Sequence, residues 1–170
     1  MAIAAATGLA IAALAGGGQP QAVTERCATR SGADFLGAYA NPDNLVIGPL
    51  ALVGLGGLTP ARVVEGFGGN KLPVLVENGH SATVAVHGRG VTLGFGPLPE
   101  GDVETHDGHR AVRFVACRGR KGNSAGDRRM TFWMGFLMAD EPRCVRVRVW
   151  IDRSRSARSA TVPFGRECGG

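Results

Sequence analysis

The sequence predicts an all-β protein: a single antiparallel β-sandwich, Ig-like or Greek-key, of about eight short strands. Three observations predict it. From Cys144 onward, Val145, Val147, Val149 and Ile151 alternate with Arg146, Arg148, Trp150 and Asp152, the period of two of a strand with one buried face. The composition, with 27 Gly and only 6% aromatic residues, suits short strands and turns better than long helices. Turn signals divide the remaining apolar runs at short, regular intervals, and no long helical period competes with them. A chain of 170 residues with 44% hydrophobic residues is sized for one domain with one core.

Residues 1–22 read as a signal peptide. Ala2 to Ala15 is an apolar run as long as a signal-peptide core and too short to span a bilayer, and the first charged side chain is Glu25. Ala13-Leu14-Ala15 and Pro20-Gln21-Ala22 both end on small residues suited to cleavage, the second being slightly favoured. Gly17 stands where a lipidated Cys would have to be. Residues 23–44 read as an irregular arm or linker, with Phe35, Leu36 and Tyr39 docking as a short helix.

The sandwich domain is expected over 45–170. Leu45 to Leu55 is a strand in which Pro49 marks an edge or a bulge. The glycines from Gly54 to Gly69 match neither GxGxxG nor a phosphate loop and read as loop positions. Leu72 to Glu77, Ala82 to His87 and Val91 to Phe95 follow at hairpin spacing through Asn78-Gly79 and Gly88-Arg89-Gly90. A polar loop, Gly96 to Gly108, leads to the strand Arg110 to Cys117 and then to the basic loop Arg118 to Arg129. Met130 to Ala139 has no polar face. It reads as a strand covered on both sides or lying beside a binding surface, although its length also suits a buried helix ending before Pro142. A tight turn joins it to the strand from Cys144, and Ala160, Val162 and Phe164 close the last strand.

Cys27, Cys117, Cys144 and Cys168 contain no CxxC pair, which argues for two disulfides rather than a metal or redox centre. A final hairpin centred near Arg155 sets Cys144 opposite Cys168. Elimination then pairs Cys27 with Cys117, and Cys117 with Cys144 is the competing connectivity.

No catalytic residue is assigned and no cofactor is expected. Ser81 does not sit in a GxSxG elbow. His106 and His109, near Glu104 and Asp102, make an incomplete metal site without a zinc signature. The formal net charge is +5. Its cations concentrate at Arg118, Arg120, Lys121, Arg128 and Arg129 in one loop, and at Arg146, Arg148, Arg153, Arg155, Arg158 and Arg166 near the last hairpin. Adjacent hairpins would pool them into one patch for anionic cell-envelope polymers or a protein partner, whereas no basic block is long enough to argue for nucleic acid. Trp133 beside Gly135 reads as the wall of a shallow apolar slot.

Lys71-Leu72-Pro73-Val74, Phe114-Val115-Ala116-Cys117, Phe132-Trp133-Met134-Gly135-Phe136 and Pro142-Arg143-Cys144-Val145, behind an Ala-rich leader, resemble small exported β-domain proteins of high-GC Gram-positive (actinobacterial) bacteria. The resemblance spans Leu45 to Cys168. It implies export and disulfides, and brings no activity, cofactor or partner with it. The expectation is therefore a secreted, extracytoplasmic binding or structural module of the cell envelope, without catalytic activity and without a membrane span once mature. Two other classes compete with it: a small metal-dependent hydrolase using the His106/His109 loop, and a secreted inhibitor or immunity-type protein. Intact mass of the exported protein should start after Ala15 or Ala22, with no alkylation before reduction and four alkylated cysteines after it.

Overall fold

Val145, Val147 and Val149 are buried while Arg146 stays exposed, so the alternation read from Cys144 onward does form a one-sided strand. The computed structural model describes residues 18–56, 69–96, 107–126 and 128–168. Its strands are β1 (Val23–Arg26), β2 (Leu45–Ile47), β3 (Leu50–Leu52), β4 (Gly69–Lys71), β5 (Val74–Glu77), β6 (Ser81–His87), β7 (Val91–Gly94), β8 (Ala111–Val115), β9 (Asn123–Ala125), β10 (Arg128–Trp133), β11 (Phe136–Ala139), β12 (Arg143–Ile151) and β13 (Arg158–Phe164). A 3-10 turn at Cys27–Thr29 follows β1. The first sheet runs β1-β8-β6-β12-β13, the second β2-β3-β5-β10-β9, and the third β4-β11-β7.

The fold is all-β, with packed sheets and two disulfides, and it holds more and shorter strands than expected. Leu45 to Leu55 is not one strand: it turns at Gly48, where φ is +58°, and returns as β3 against β2. The arm is not wholly irregular. Its Val23–Arg26 segment pairs with β8, in parallel, at the edge of the first sheet. The docking residues of the arm form turns instead of a helix; Phe35 and Tyr39 pack on the sheet, and Leu36 is exposed.

The expected hairpins through Asn78-Gly79 and through Gly88-Arg89-Gly90 do not form. Among the described strands, β2–β3, β9–β10 and β12–β13 are the consecutive pairs that hydrogen-bond to each other. The reason is saturation. β5 lies between β3 and β10, β6 between β8 and β12, and β11 between β4 and β7, so each already uses both edges and the next segment must change sheets. Asn78 and Gly79 instead donate their backbone N–H groups to Arg129 and Cys117. Met130 to Ala139 is broken for the same reason. It is neither one strand nor a helix: β10 ends at Trp133 in the second sheet, β11 starts at Phe136 in the third, and β11 does not pair with β12.

The main core lies between the sheets. Val84 and Val86 of β6, Val112 and Phe114 of β8, Val147 and Val149 of β12, and Phe164 of β13 meet Leu50, Leu52, Val74, Val76 and Trp133 of the second sheet, with Leu93 and Leu137 of the third. The other face of the second sheet is covered as well. Met130, Phe132, Leu75 and Ala51 pack under Phe35 and Tyr39, and the Phe35 and Phe132 rings meet edge to face at 4.8 Å. Both apolar faces of β10 are thus explained by burial.

Asp152, at φ +52°, ties the end of β12 to the start of β6. Its Oδ1 accepts the Ser81 N–H at 2.9 Å, its Oδ2 lies 3.0 Å from His80 Nδ1, and its backbone oxygen accepts Gln19 Nε2 at 2.8 Å. Burial alone would raise the Asp152 carboxyl, but the hydrogen bonds from His80 and Ser81 outweigh it and hold the pKa below its usual value.

Cys27 is bonded to Cys117 with Cα atoms 4.8 Å apart, and Cys144 to Cys168 with Cα atoms 5.6 Å apart. The first spans 90 residues of sequence and the second 24. Loop-closure entropy gives the longer closure the larger effect, within a range of about 2–5 kcal/mol for either. In denaturant unfolding, Cys27→Ser with Cys117→Ser is expected to lose more stability than Cys144→Ser with Cys168→Ser. An equal or reversed order would place the stabilisation elsewhere.

Candidate functional site

The valines that fill the core from β6 and β12 fix what the opposite face of that sheet must show, because successive side chains alternate. Across the antiparallel pair, Arg146 stands opposite His87, Arg148 opposite Ala85, and Trp150 opposite Thr83. On the other edge of β6, Ala85 faces Ala111 and Thr83 faces Arg113 of β8. The outward positions of these strands carry arginine, histidine, hydroxyl, tryptophan and small or apolar side chains, and no Asp or Glu.

Trp150 is buried on this outer face by Ala85 and Ala111, with Ala22 and Ala157 packed against them. The Arg148 guanidinium carbon lies 4.8 Å from the centre of its ring, within cation–π range. Arg110 reaches the same corner, donating through Nη1 to the backbone oxygens of Val91, at 3.0 Å, and Gly88. His87 sits among these guanidinium groups. Burial, then the charges of Arg148, Arg110 and Arg146, lower its imidazole pKa below 6.5. With no Asp or Glu at the outward positions of these strands among the described residues, the positive charges repel one another and raise the local potential, so an anion that settles there is favoured twice.

Next to this face is a cleft of about 360 Å³ whose walls include Gln21, His109, Arg110 and Ala111. His109 is held there by backbone hydrogen bonds in both directions with Leu93, at 2.8 and 2.9 Å. Its expected metal partner, His106, lies outside the described residues. Among the described residues, no three His, Cys, Asp or Glu side chains gather where they could hold a metal ion.

Arg118, Arg120 and Lys121 lie at the opposite end of β6 from Arg146. They are exposed in the loop beyond β8, whose end stands opposite Ser81, whereas Arg146 stands opposite His87. Six residue steps along β6 separate those two ends by roughly 20 Å, about twice the screening length in ordinary salt. The distal loop is braced by Asn78, whose Nδ2 donates to the backbone oxygens of Gly119, at 2.9 Å, and Lys121. Arg128 is engaged locally, 3.2 Å from Glu77 Oε2 and 4.9 Å from the Tyr39 ring centre. Burial and then Glu77 push the Tyr39 phenol well above its usual pKa against the pull of Arg128, and the hydroxyl donates to the Pro49 carbonyl at 3.1 Å. Arg129 is exposed on β10 opposite Ser124.

The slot expected between Trp133 and Gly135 is filled. A Cβ at position 135 would lie 2.4 Å from Phe95 Cε1 and 2.5 Å from the Gly94 carbonyl oxygen, so the glycine is there to admit a core ring. Trp133 itself is buried against Phe114 at 5.3 Å, and its Nε1 donates to the Arg26 carbonyl at 3.2 Å. It lines a different cleft, with Glu25, which the sequence does not single out. His87 is the other residue missed. It reads as an ordinary polar strand end, and only the register that sets it opposite Arg146 gives it a role.

Comparisons with family models, with curated proteins and with solved structures return no match to this chain. The reading of the site therefore rests on its own geometry. In an NMR titration, His87 is expected to protonate with a midpoint below 6.5, and Arg146→Gln to raise that midpoint. Since the unfolded chain takes the proton first, His87 should cost stability as pH falls through 6.5 toward the folded value. An unchanged midpoint in Arg146→Gln would show that the guanidinium does not act on the imidazole.

Proposed function

We propose that this protein is an exported binding module of the cell envelope that holds anionic polymers on the outer face of its first sheet and performs no catalysis. The observation that carries the reading is the cationic face: Arg110, Arg146 and Arg148 surround His87, and among the described residues no carboxylate stands at the outward strand positions beside them. Arg146 and Arg148 lie two residues apart on one strand, about 7 Å, a repeat that a chain with one phosphate or carboxylate per monomer can follow. Guanidinium groups suit such partners because their planar forks bind oxyanions in pairs of hydrogen bonds.

Two disulfides with no free cysteine among the described residues favour an oxidising compartment, which supports export. Gln19 donates to the backbone oxygens of Asp152 and Ser154 and accepts from Thr83 Oγ1 at 2.9 Å, and Ala22 packs against the Trp150 cluster. Processing after Ala22 would remove these contacts and processing after Ala15 would keep them, so we favour Ala15. No helix among the described residues is long and apolar enough to cross a membrane.

The test is calorimetric binding of long-chain inorganic polyphosphate. Affinity should fall steeply between about 0.05 and 0.5 M salt, and should rise as pH drops and His87 accepts its proton. Arg146→Gln is expected to weaken binding about three- to tenfold, whereas Arg120→Gln in the distal loop should change it much less. Binding that ignores salt, or that weakens equally in both variants, would overturn the proposal.

A further inference from the structure

Glu25 is 6% exposed, although a carboxylate is almost never buried without a charged or fully hydrogen-bonded environment. Its position is imposed by the chain. β1 pairs in parallel with β8, placing Glu25 level with the core residue Phe114, and the Cys27–Cys117 bond fixes the strand two residues further on. The carboxylate points to the inner side of the sheet. There its Oε2 receives a hydrogen bond from Thr29 Oγ1 at 2.5 Å. Its Oε1 lies over Gly96, 3.1 Å from where a Cβ would stand, and no hydrogen bond or ion pair reaches it from the described residues. Gly96 has a φ of +89°, so glycine there both permits the turn and keeps the carboxylate uncovered.

In front of Glu25 opens a cleft of about 210 Å³, lined also by Thr29, Phe95, Gly96, Trp133 and Met134. Met134 is 46% exposed in the break between β10 and β11. One buried anionic group, one free carboxylate oxygen and walls of indole, phenyl and thioether make a site of definite chemistry. A hard metal ion would need six or more oxygen donors, and among the described residues the side chains lining this cleft offer one carboxylate and one hydroxyl. An organic ammonium needs one counter-charge and polarisable walls, because the faces of aromatic rings attract cations within about 6 Å.

We propose that the Glu25 cleft binds a compact organic ammonium group, with the Glu25 carboxylate as counter-ion and Trp133, Phe95 and Met134 as its walls. The site is separate from the cationic outer face, since Glu25 and Trp133 face the interior side of the sheets, and it does not depend on the anionic-polymer reading. It also gives the Cys27–Cys117 bond a second consequence: the disulfide holds the only strand that brings this carboxylate to the cleft among the described residues.

The probe pair is choline and its uncharged isostere 3,3-dimethylbutan-1-ol, followed through the assigned indole N–H resonance of Trp133. That N–H is held by the Arg26 carbonyl, next to Glu25, and reports on the cleft. Choline is expected to shift it saturably, with the alcohol requiring about tenfold higher concentration. Glu25→Gln keeps the shape and removes the charge, and should cut the preference for choline to the smaller part that the aromatic walls supply. The wild-type comparison stands even if that variant does not fold. Equal response to the two probes in the wild-type protein, no saturable shift with choline, or a folded Glu25→Gln that prefers choline as strongly as the wild type would each overturn the assignment.

Discussion

The antiparallel register between β6 and β12 is the constraint on which most of this protein depends. With Val84 opposite Val149 and Val86 opposite Val147, the same pairing sends the valines into the core and His87, Arg146 and Arg148 to the opposite face. A slip of one residue would bury guanidinium groups and expose valines. The core therefore holds the cationic face in place at no separate cost. The mutual repulsion of the cations is borne by the apolar burial beneath them, of the order of 2 kcal/mol for each fully buried valine. Arg148 resolves part of the conflict locally by lying on Trp150.

A second constraint acts from the edge. β1 is a four-residue strand in parallel pairing, a weak arrangement by itself, and it is held by the Cys27–Cys117 bond and by the docking of Phe35 and Tyr39 further along. The arm is therefore structural at both ends. The residues just before it cross Trp150 and Thr83 through Ala22 and Gln19, and its later part closes the outer face of the second sheet. Between these it delivers Glu25 into the interior, where the carboxylate meets Trp133 and Phe95. The two candidate sites consequently lie on the two sides of the first sheet and carry opposite charge.

Much of the local structure was legible. The alternation in β12, the turn near Arg155, and the pairing of Cys144 with Cys168 are short-range consequences of a period of two and of hairpin geometry. The lack of a polar face from Met130 to Ala139 agrees with the burial of both faces of β10, although the run is split between two strands. The partners of each strand were not legible. Asn78-Gly79 carries the strongest local hairpin signal in the chain, yet β5 and β6 belong to different sheets because both are central strands with no free edge. Arg146, in turn, lies at the far end of β6 from Arg118, Arg120 and Lys121, which adjacency of hairpins in sequence does not reveal.

The sequence by itself determined the class of fold, the inward and outward faces of individual strands, and the cysteines that bond, since these follow from side-chain alternation, turn chemistry and composition. The tertiary structure alone decided which strands share a sheet, that His87 joins Arg146, Arg148 and Arg110, and that Glu25 is buried beside Trp133. Each of these joins residues dozens of positions apart. Such a juxtaposition arises from competition among strands for a limited set of edges, and no local pattern records how that competition ends.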